Sequence, residues 1–173
     1  MSEEKKEFTI NKSKNYKKDR SIVPVLLGAL LLTALILTPA FRYMNNVYQF
    51  NSFMDSLRTS FVNGQKFNGF NAEYGGKEFR LSSEEGSYIF TSLSLIGKGI
   101  KCDPEEPEET FFIDFGDDSS LIIGKTTTKG RFQNEVNAIY LEYTYPNGKK
   151  YHCKTDLTVF NYLLDPIIAN HTS

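Results

Sequence analysis

Between Ile22 and Phe41 the chain carries 20 residues without a charge, and no other feature restricts its folding so severely. As an α-helix rising about 1.5 Å per residue, the run would measure roughly 30 Å, the thickness of a bilayer's hydrocarbon core. The plainer alternative, a buried core helix, is poorly supported because no polar stripe interrupts the run at helical spacing. A cleaved signal peptide would carry a shorter apolar region, about 7–15 residues, and a small-x-small end. This run is longer and closes on Thr38-Pro39-Ala40. The expectation is a retained transmembrane helix over 22–41, with Pro24 and Pro39 near its ends and an unbroken middle.

Charge asymmetry orients such a helix. Lys5, Lys6, Lys12, Lys14, Lys17, Lys18 and Arg20 precede it, and only Arg42 follows closely, so residues 1–21 are expected to form a cytoplasmic basic tail. That tail reads as a topology signal, with a partner-binding tail as the alternative. Residues 42–173 then lie outside the cytoplasm and are long enough for one domain with its own core. They hold 13 Lys/Arg and 17 Asp/Glu, and this acidic balance gives no reason to expect nucleic acid.

Past the membrane, Val47, Phe50, Met54, Leu57 and Phe61 recur at intervals of three and four, the spacing of an amphipathic helix over 42–64 with a stop at Asn63-Gly64. Tyr48 and Phe53 widen its apolar face, which favours packing on the protein's own domain over a homo-oligomeric seam through 43–62. The domain proper is expected over 65–168, with a flexible tail at 169–173. Phe70, Ala72 and Tyr74 alternate, Gly75-Gly76 turns, and Phe79 and Leu81 resume: a β-hairpin. Ser82 and Glu85 have capping-box spacing before a helix carrying Ile89, Leu93 and Ile96 and stopping at Gly97. A second hairpin spans Phe111–Phe115 and Leu121–Ile123. A third joins Ile139–Tyr145 to Tyr151–Cys153 through Pro146-Asn147-Gly148, followed by a helix from about Asp156 to Leu164, halted by Pro166. The first and third hairpins, each trailed by a helix, suggest two ββα units. The fold class is therefore α+β: an antiparallel sheet of about five or six strands, helices on one face, and a solvent face carrying Glu78, Arg80, Glu142, Thr144, His152 and Lys154.

Chemical signals are sparse. Between Lys101 and Lys125 stand eight acids and no base. Of these, Asp103, Glu105, Glu106, Glu108, Glu109, Asp117 and Asp118 are candidates for a cation or basic-partner contact, against the plainer reading of a hydrated loop. The spacing lacks the alternation of an EF-hand loop. The letters Asp114-Phe115-Gly116 occur without any other kinase motif. Cys102 and Cys153 form a candidate disulfide if the domain lies in an oxidising compartment. In the chain-entropy account such a bridge would contribute roughly 4 kcal/mol. As free thiols, Cys153 would be a small core residue beside Tyr151. His152 and Cys153, being neighbours on a strand, point to opposite faces and make a poor zinc pair. A catalytic His152 lacks a nucleophile motif beside it, nothing selects a carboxylate pair for glycoside hydrolysis, and Asn170-His171-Thr172 would accept a glycan only in a eukaryotic secretory pathway. No catalytic residue, cofactor or metal is assigned. The functional expectation is a single-pass membrane protein whose outer domain is a non-catalytic binding or accessory module, held by lipid at 22–41 and contacting a protein partner outside the cytoplasm. The alternatives are an envelope-acting enzyme with a site near His152 or the acidic cluster, and a ligand-sensing subunit signalling through a partner.

Overall fold

The computed structural model describes residues 16–66, 69–96, 98–130 and 134–172. It divides at Met44/Asn45 into two compact units. Most of residues 1–21, Gly97 and Ser173 lie outside the described residues or have no described side chain. The first element, α1 (Tyr16–Lys66), takes in both the apolar run and the amphipathic stripe. Over the run the side chains stand open, with Leu30 at 69% and Ile36 at 70% exposure, and the most apolar window is wholly uncovered by protein. The Thr33 and Thr38 hydroxyls donate to the carbonyls of Ala29 and Ala34, each at 2.7 Å. Their polar atoms are thereby spent within the helix, as a lipid setting demands. A candidate transmembrane helix is thus present where the sequence places it.

In the second unit, α1 buries Phe50, Phe53, Leu57 and Phe61. This differs from the expected stripe. Val47 and Met54 are half-buried, whereas Phe53 sits at the centre, stacked on Tyr151 with centroids 5.1 Å apart and tilted against Tyr143 at 5.8 Å. Tyr48, expected to widen that face, is 73% exposed. The helix also runs past Asn63-Gly64 to Lys66. Gly64 serves close packing instead of termination: a Cβ there would overlap the Phe70 ring. Residues 45–66 belong to the same unit as the sheet, not to a separate juxtamembrane section.

The sheet is antiparallel and has seven strands in the order β2-β1-β4-β5-β6-β7-β3. These are β1 (Phe70–Tyr74), β2 (Lys77–Leu81), β3 (Ile100–Lys101), β4 (Thr110–Asp114), β5 (Ser120–Lys129), β6 (Glu135–Thr144) and β7 (Lys150–Thr155). All three expected hairpins form. Gly75 and Gly76 take φ of 57° and 76°, the left-handed pair that a two-residue hairpin turn needs. The extra strand is β3, two residues paired to Lys154 and Cys153 of β7, too short to show an alternation. Register sends Ala72, Ile113, Leu121, Ile123, Ile139, Leu141, Tyr143, Tyr151 and Cys153 to one face, where α1, α2 and α3 complete a single core.

Helix α2 (Ser83–Ser94) opens on the expected capping box. The Ser82 hydroxyl accepts from the Glu85 N–H at 3.2 Å, and the Glu85 carboxylate accepts from the Ser82 N–H at 2.9 Å. Helix α3 (Phe160–Thr172) departs from expectation, because it starts later and carries Pro166 inside it. A proline cannot donate to the carbonyl four residues back. That carbonyl, of Tyr162, accepts the Tyr88 hydroxyl of α2 at 3.3 Å instead. Residues 169–172 are likewise helical, not a loose tail: His171 Nε2 lies 3.0 Å from the Glu85 carboxylate and its ring stacks on Phe79 at 4.4 Å.

Phe53→Ala should cost about 3–5 kcal/mol, since Phe53 is fully buried, and Ser82→Ala should cost about 1 kcal/mol. Denaturant unfolding of the detergent-solubilised chain checks both. Equal losses would remove Phe53 from the centre of the core.

Candidate functional site

Strand β3 pairs with β7, while the next strand, β4, pairs with β5 and β1. Residues 102–109 therefore have to cross β7, β6 and β5, and they do so on the face away from the helices. The sequence suits this path, since Pro104 and Pro107 hold the chain extended without amide donors to satisfy. The Pro107 ring lies over Gly124 of β5, where any Cβ would overlap it. Glu105 fastens the middle of the strap. Its N–H donates to the Tyr140 hydroxyl at 3.4 Å, and its carboxylate pairs with Lys154 at 2.6 Å and accepts from Thr126 at 3.3 Å. Glu109 fastens the end, with its carbonyl accepting from the Lys125 N–H at 2.9 Å and its carboxylate binding Lys125 Nζ at 3.2 Å and the Tyr74 hydroxyl.

Beneath the strap lies a polar cluster that a solvent-facing sheet would not hold. Tyr140 is 1% exposed and Glu142 8%, and all of residues 138–143 are buried, on both faces of β6. The Tyr140 hydroxyl donates to Glu142 at 3.0 Å, which leaves its oxygen to accept from the Glu105 N–H and from His152 Nδ1 at 2.7 Å. This count assigns a proton to Nδ1. Glu142 also pairs with Lys150 at 2.6 Å and lies 3.3 Å from His152. Burial pushes the Tyr140 phenol well up, and its bond to Glu142 adds to the rise. Burial acts to raise Glu142 too, but Lys150, Tyr140 and His152 together hold it below the ordinary 4.5. The expected solvent face is corrected accordingly: Glu78 and Arg80 are exposed, Thr144, His152 and Lys154 are half-buried, and Glu142 is buried.

Both cysteines are free thiols. Register explains why. Lys101 stands opposite Cys153, and the Cys102 N–H donates to the His152 carbonyl at 3.3 Å. Cys102 thus shares the His152 face while Cys153 points into the core, and opposite-facing cysteines do not meet the geometry of a bridge. Burial raises the Cys102 thiol to about 11 and the Cys153 thiol further, so neither is a ready nucleophile. Among the described residues no three His, Cys, Asp or Glu side chains gather as a metal site.

The acids of the sequence cluster are sorted by the fold. Glu105 is paired with Lys154 on the strap side and Glu109 with Lys125 on the helix side of the sheet, whereas Asp103, Glu106 and Glu108 are exposed and enter no ion pair among the described residues. Asp117 and Asp118 sit at the far end of β4, roughly 17 Å of strand away. There the Asp117 carboxylate accepts from the Ser119 N–H at 3.1 Å and from its hydroxyl, and Asp118 adopts φ of 63°. Ser119 in turn belongs to a buried hydroxyl chain with Ser60 of α1 and Tyr143, each contact 2.8 Å. Where the strap ends, the β1-β2-β4 half of the sheet is bare and forms an open depression of about 680 Å³, lined by Glu73, Tyr74, Glu108, Glu109, Thr110 and Phe112. The Glu109 bond, then burial, lifts the Tyr74 phenol to about 12, and that bond with Lys125 holds Glu109 below its ordinary value. An adjoining hollow is lined by Glu73, Glu78 and Asp114. Glu73 stands directly opposite Glu78 in register, a like-charge pairing that costs stability. Sequence reading places Glu78 on the exposed face but overlooks Glu73, although the alternation of the first hairpin puts both on one face. It overlooks Tyr140 as well, whose signal is an aromatic residue between Ile139 and Leu141 where a polar one belongs. No protein-family model, curated protein or solved structure matches the chain.

Two outcomes test the strap. Gly124→Val should lift Pro107 and speed hydrogen exchange at the Glu105 amide, leaving β1–β2 unchanged. Because Glu85, Glu109 and Glu142 are all held below 4.5, the folded state binds fewer protons than the unfolded one. The stability they contribute is therefore complete above that value and lost as the pH falls below it. Unfolding measured from pH 7 to 3 should show this decline, and Glu142→Gln should flatten it.

Proposed function

We propose that the chain is a single-pass membrane protein, its amino end cytoplasmic, whose outer domain is a non-catalytic binding or accessory module that receives a basic protein partner on its strap side. The observation that carries the reading is the division of labour among the strap's acids. Glu105 and Glu109 are tied to Lys154 and Lys125, which fastens the strap at two points, while Asp103, Glu106 and Glu108 stay exposed and Glu108 lines the same depression as Glu73. An anchored acidic segment loses little conformational entropy when it binds, so a cationic surface gains affinity from it that a mobile acidic loop would not offer. The apolar run and the charge bias before it support the anchor and the orientation. The successions β1-β2-α2 and β6-β7-α3 support reading the domain as two ββα units.

A second reading, hydrolysis of envelope material by paired carboxylates, draws on the depression that collects Glu73, Glu108 and Glu109. The two part experimentally. Under the binding reading, crosslinking in intact cells from a photoreactive residue at position 106 captures a partner, capture falls with added salt, and the combined change Asp103→Lys, Glu106→Lys and Glu108→Lys abolishes it. Recovery of the lone chain under several chemistries would sink the module idea. Loss of a measurable polymer-cleaving activity in Glu108→Gln would establish the enzyme instead. Externally added protease should digest residues beyond 44 in intact cells, and cleavage confined to the amino tail would reverse the orientation.

A further inference from the structure

The connection from α2 to β3 is held to the core at three points, yet it presents large apolar side chains to water. Ile96 is 2% exposed, a Cβ on Gly99 would stand 2.9 Å from both the Phe50 ring and Cys153 Sγ, and Lys101 Nζ donates to Gln49 Oε1 at 2.9 Å. With those points fixed, Leu95 is left 80% and Ile100 63% exposed. Lys98 and Lys101 are exposed in the same stretch, and neither enters an ion pair among the described residues, whereas Lys125, Lys150 and Lys154 are each neutralised by an acid. The acids that flank the stretch in sequence and register, Asp103 and Asp156, are exposed too and mark where its basic character ends.

We propose that the stretch from Leu95 to Lys101 is a docking surface of the second unit for an anionic bilayer, with Leu95 and Ile100 entering the headgroup zone and Lys98 and Lys101 meeting lipid phosphates. The inference rests on the membrane-anchor reading. Charge and concentration select the occupant. Aliphatic tips interleaved with lysines suit a surface that is negative outside and apolar beneath, because a lysine lays its stem along apolar groups while its ammonium stays among the headgroups. An anchored chain also keeps lipid at a high effective concentration around everything tethered to it, and a tethered surface is occupied through contacts too weak to recruit a free partner. Asn45, the first residue of the second unit, is bonded directly to Met44, the last of the anchoring one. Two aliphatic side chains and two lysines are enough under that condition.

The chain contains no tryptophan, so a single introduced indole reports one position. The full chain is reconstituted in vesicles of phosphatidylcholine and phosphatidylglycerol as Leu31→Trp, Leu95→Trp, Ile100→Trp and Glu78→Trp, the last exposed on β2 at the opposite edge of the sheet from β3. The expected result is quenching of Leu31→Trp by bromines at the acyl-chain ends, and of Leu95→Trp and Ile100→Trp by bromines near the headgroups. Glu78→Trp should respond to acrylamide alone. Adding Lys98→Glu and Lys101→Glu, or omitting phosphatidylglycerol, should abolish quenching at positions 95 and 100 and leave position 31 unchanged. If Leu31→Trp is quenched while Leu95→Trp and Ile100→Trp behave like Glu78→Trp, the anchor stands and the docking surface is refuted. Emission from positions 95 and 100 that shifts to the blue but ignores brominated lipid would mean that a second copy of the chain covers them, which refutes the proposal as well. Quenching that survives both the charge reversal and the loss of phosphatidylglycerol would refute recognition of an anionic surface. If Leu31→Trp is untouched, the anchor reading fails and takes this inference with it.

Discussion

The ring of Phe53 lies 5.1 Å from Tyr151 and 5.8 Å from Tyr143, side chains that face each other across β6 and β7. Much else depends on that contact. A sheet with one wholly apolar face cannot remain open to water, and the segment of α1 from Phe50 to Phe61 covers it along with α2 and α3. The same helix whose earlier part is too apolar for water supplies the lid of the core. Ser60 reinforces the seating through its hydroxyl contacts to Ser119 and Tyr143, buried polar groups that are satisfied only in one register.

Once the helices have claimed one face, the strand order dictates what happens on the other. With β3 beyond β7 and β4 beyond β5, the connecting residues have no short route, and the helix side is already filled. They cross the free face, where an extended, proline-bearing, acidic segment meets Lys154 of β7 and Gly124 of β5. Gly124 is required because the Pro107 ring takes the place of its side chain, and Tyr140 and Glu142 become interior residues although they alternate outward from the core. An acidic stretch that would be a hydrated loop in isolation thereby gains two ion pairs, Glu105–Lys154 on the strap side and Glu109–Lys125 on the helix side of the sheet.

The departures from sequence reasoning share a cause. Local signals are accurate where local physics decides: the Ser82–Glu85 capping box, the Gly75-Gly76 turn and the alternation of Phe111, Ile113 and Phe115 all form as expected. They mislead where a distant residue supplies what is missing. Pro166 fails to end α3 because the Tyr88 hydroxyl of another helix satisfies the carbonyl that the proline leaves without a donor. Gly64 fails to end α1 because its lack of a side chain is used to admit Phe70. Two residues, Ile100 and Lys101, become a strand only because β7 presents an edge to pair with. Cys102 and Cys153, which looked bridgeable by number and compartment, are set on opposite faces by a register that no spacing along the chain reveals.

By itself the sequence determined the apolar run, the charge bias before it, the α+β class, the three hairpins and the inventory of acids, because periodicity, chain length and charge are local quantities. Only the tertiary structure decided which of those acids are held in ion pairs, that Glu108 lines one depression with Glu73, and that Tyr140, Glu142 and His152 are covered. The reason is that strand order is a non-local property: the route of residues 102–109 follows from where β3 and β4 dock in the sheet, and neither docking position is written in the residues of the strap.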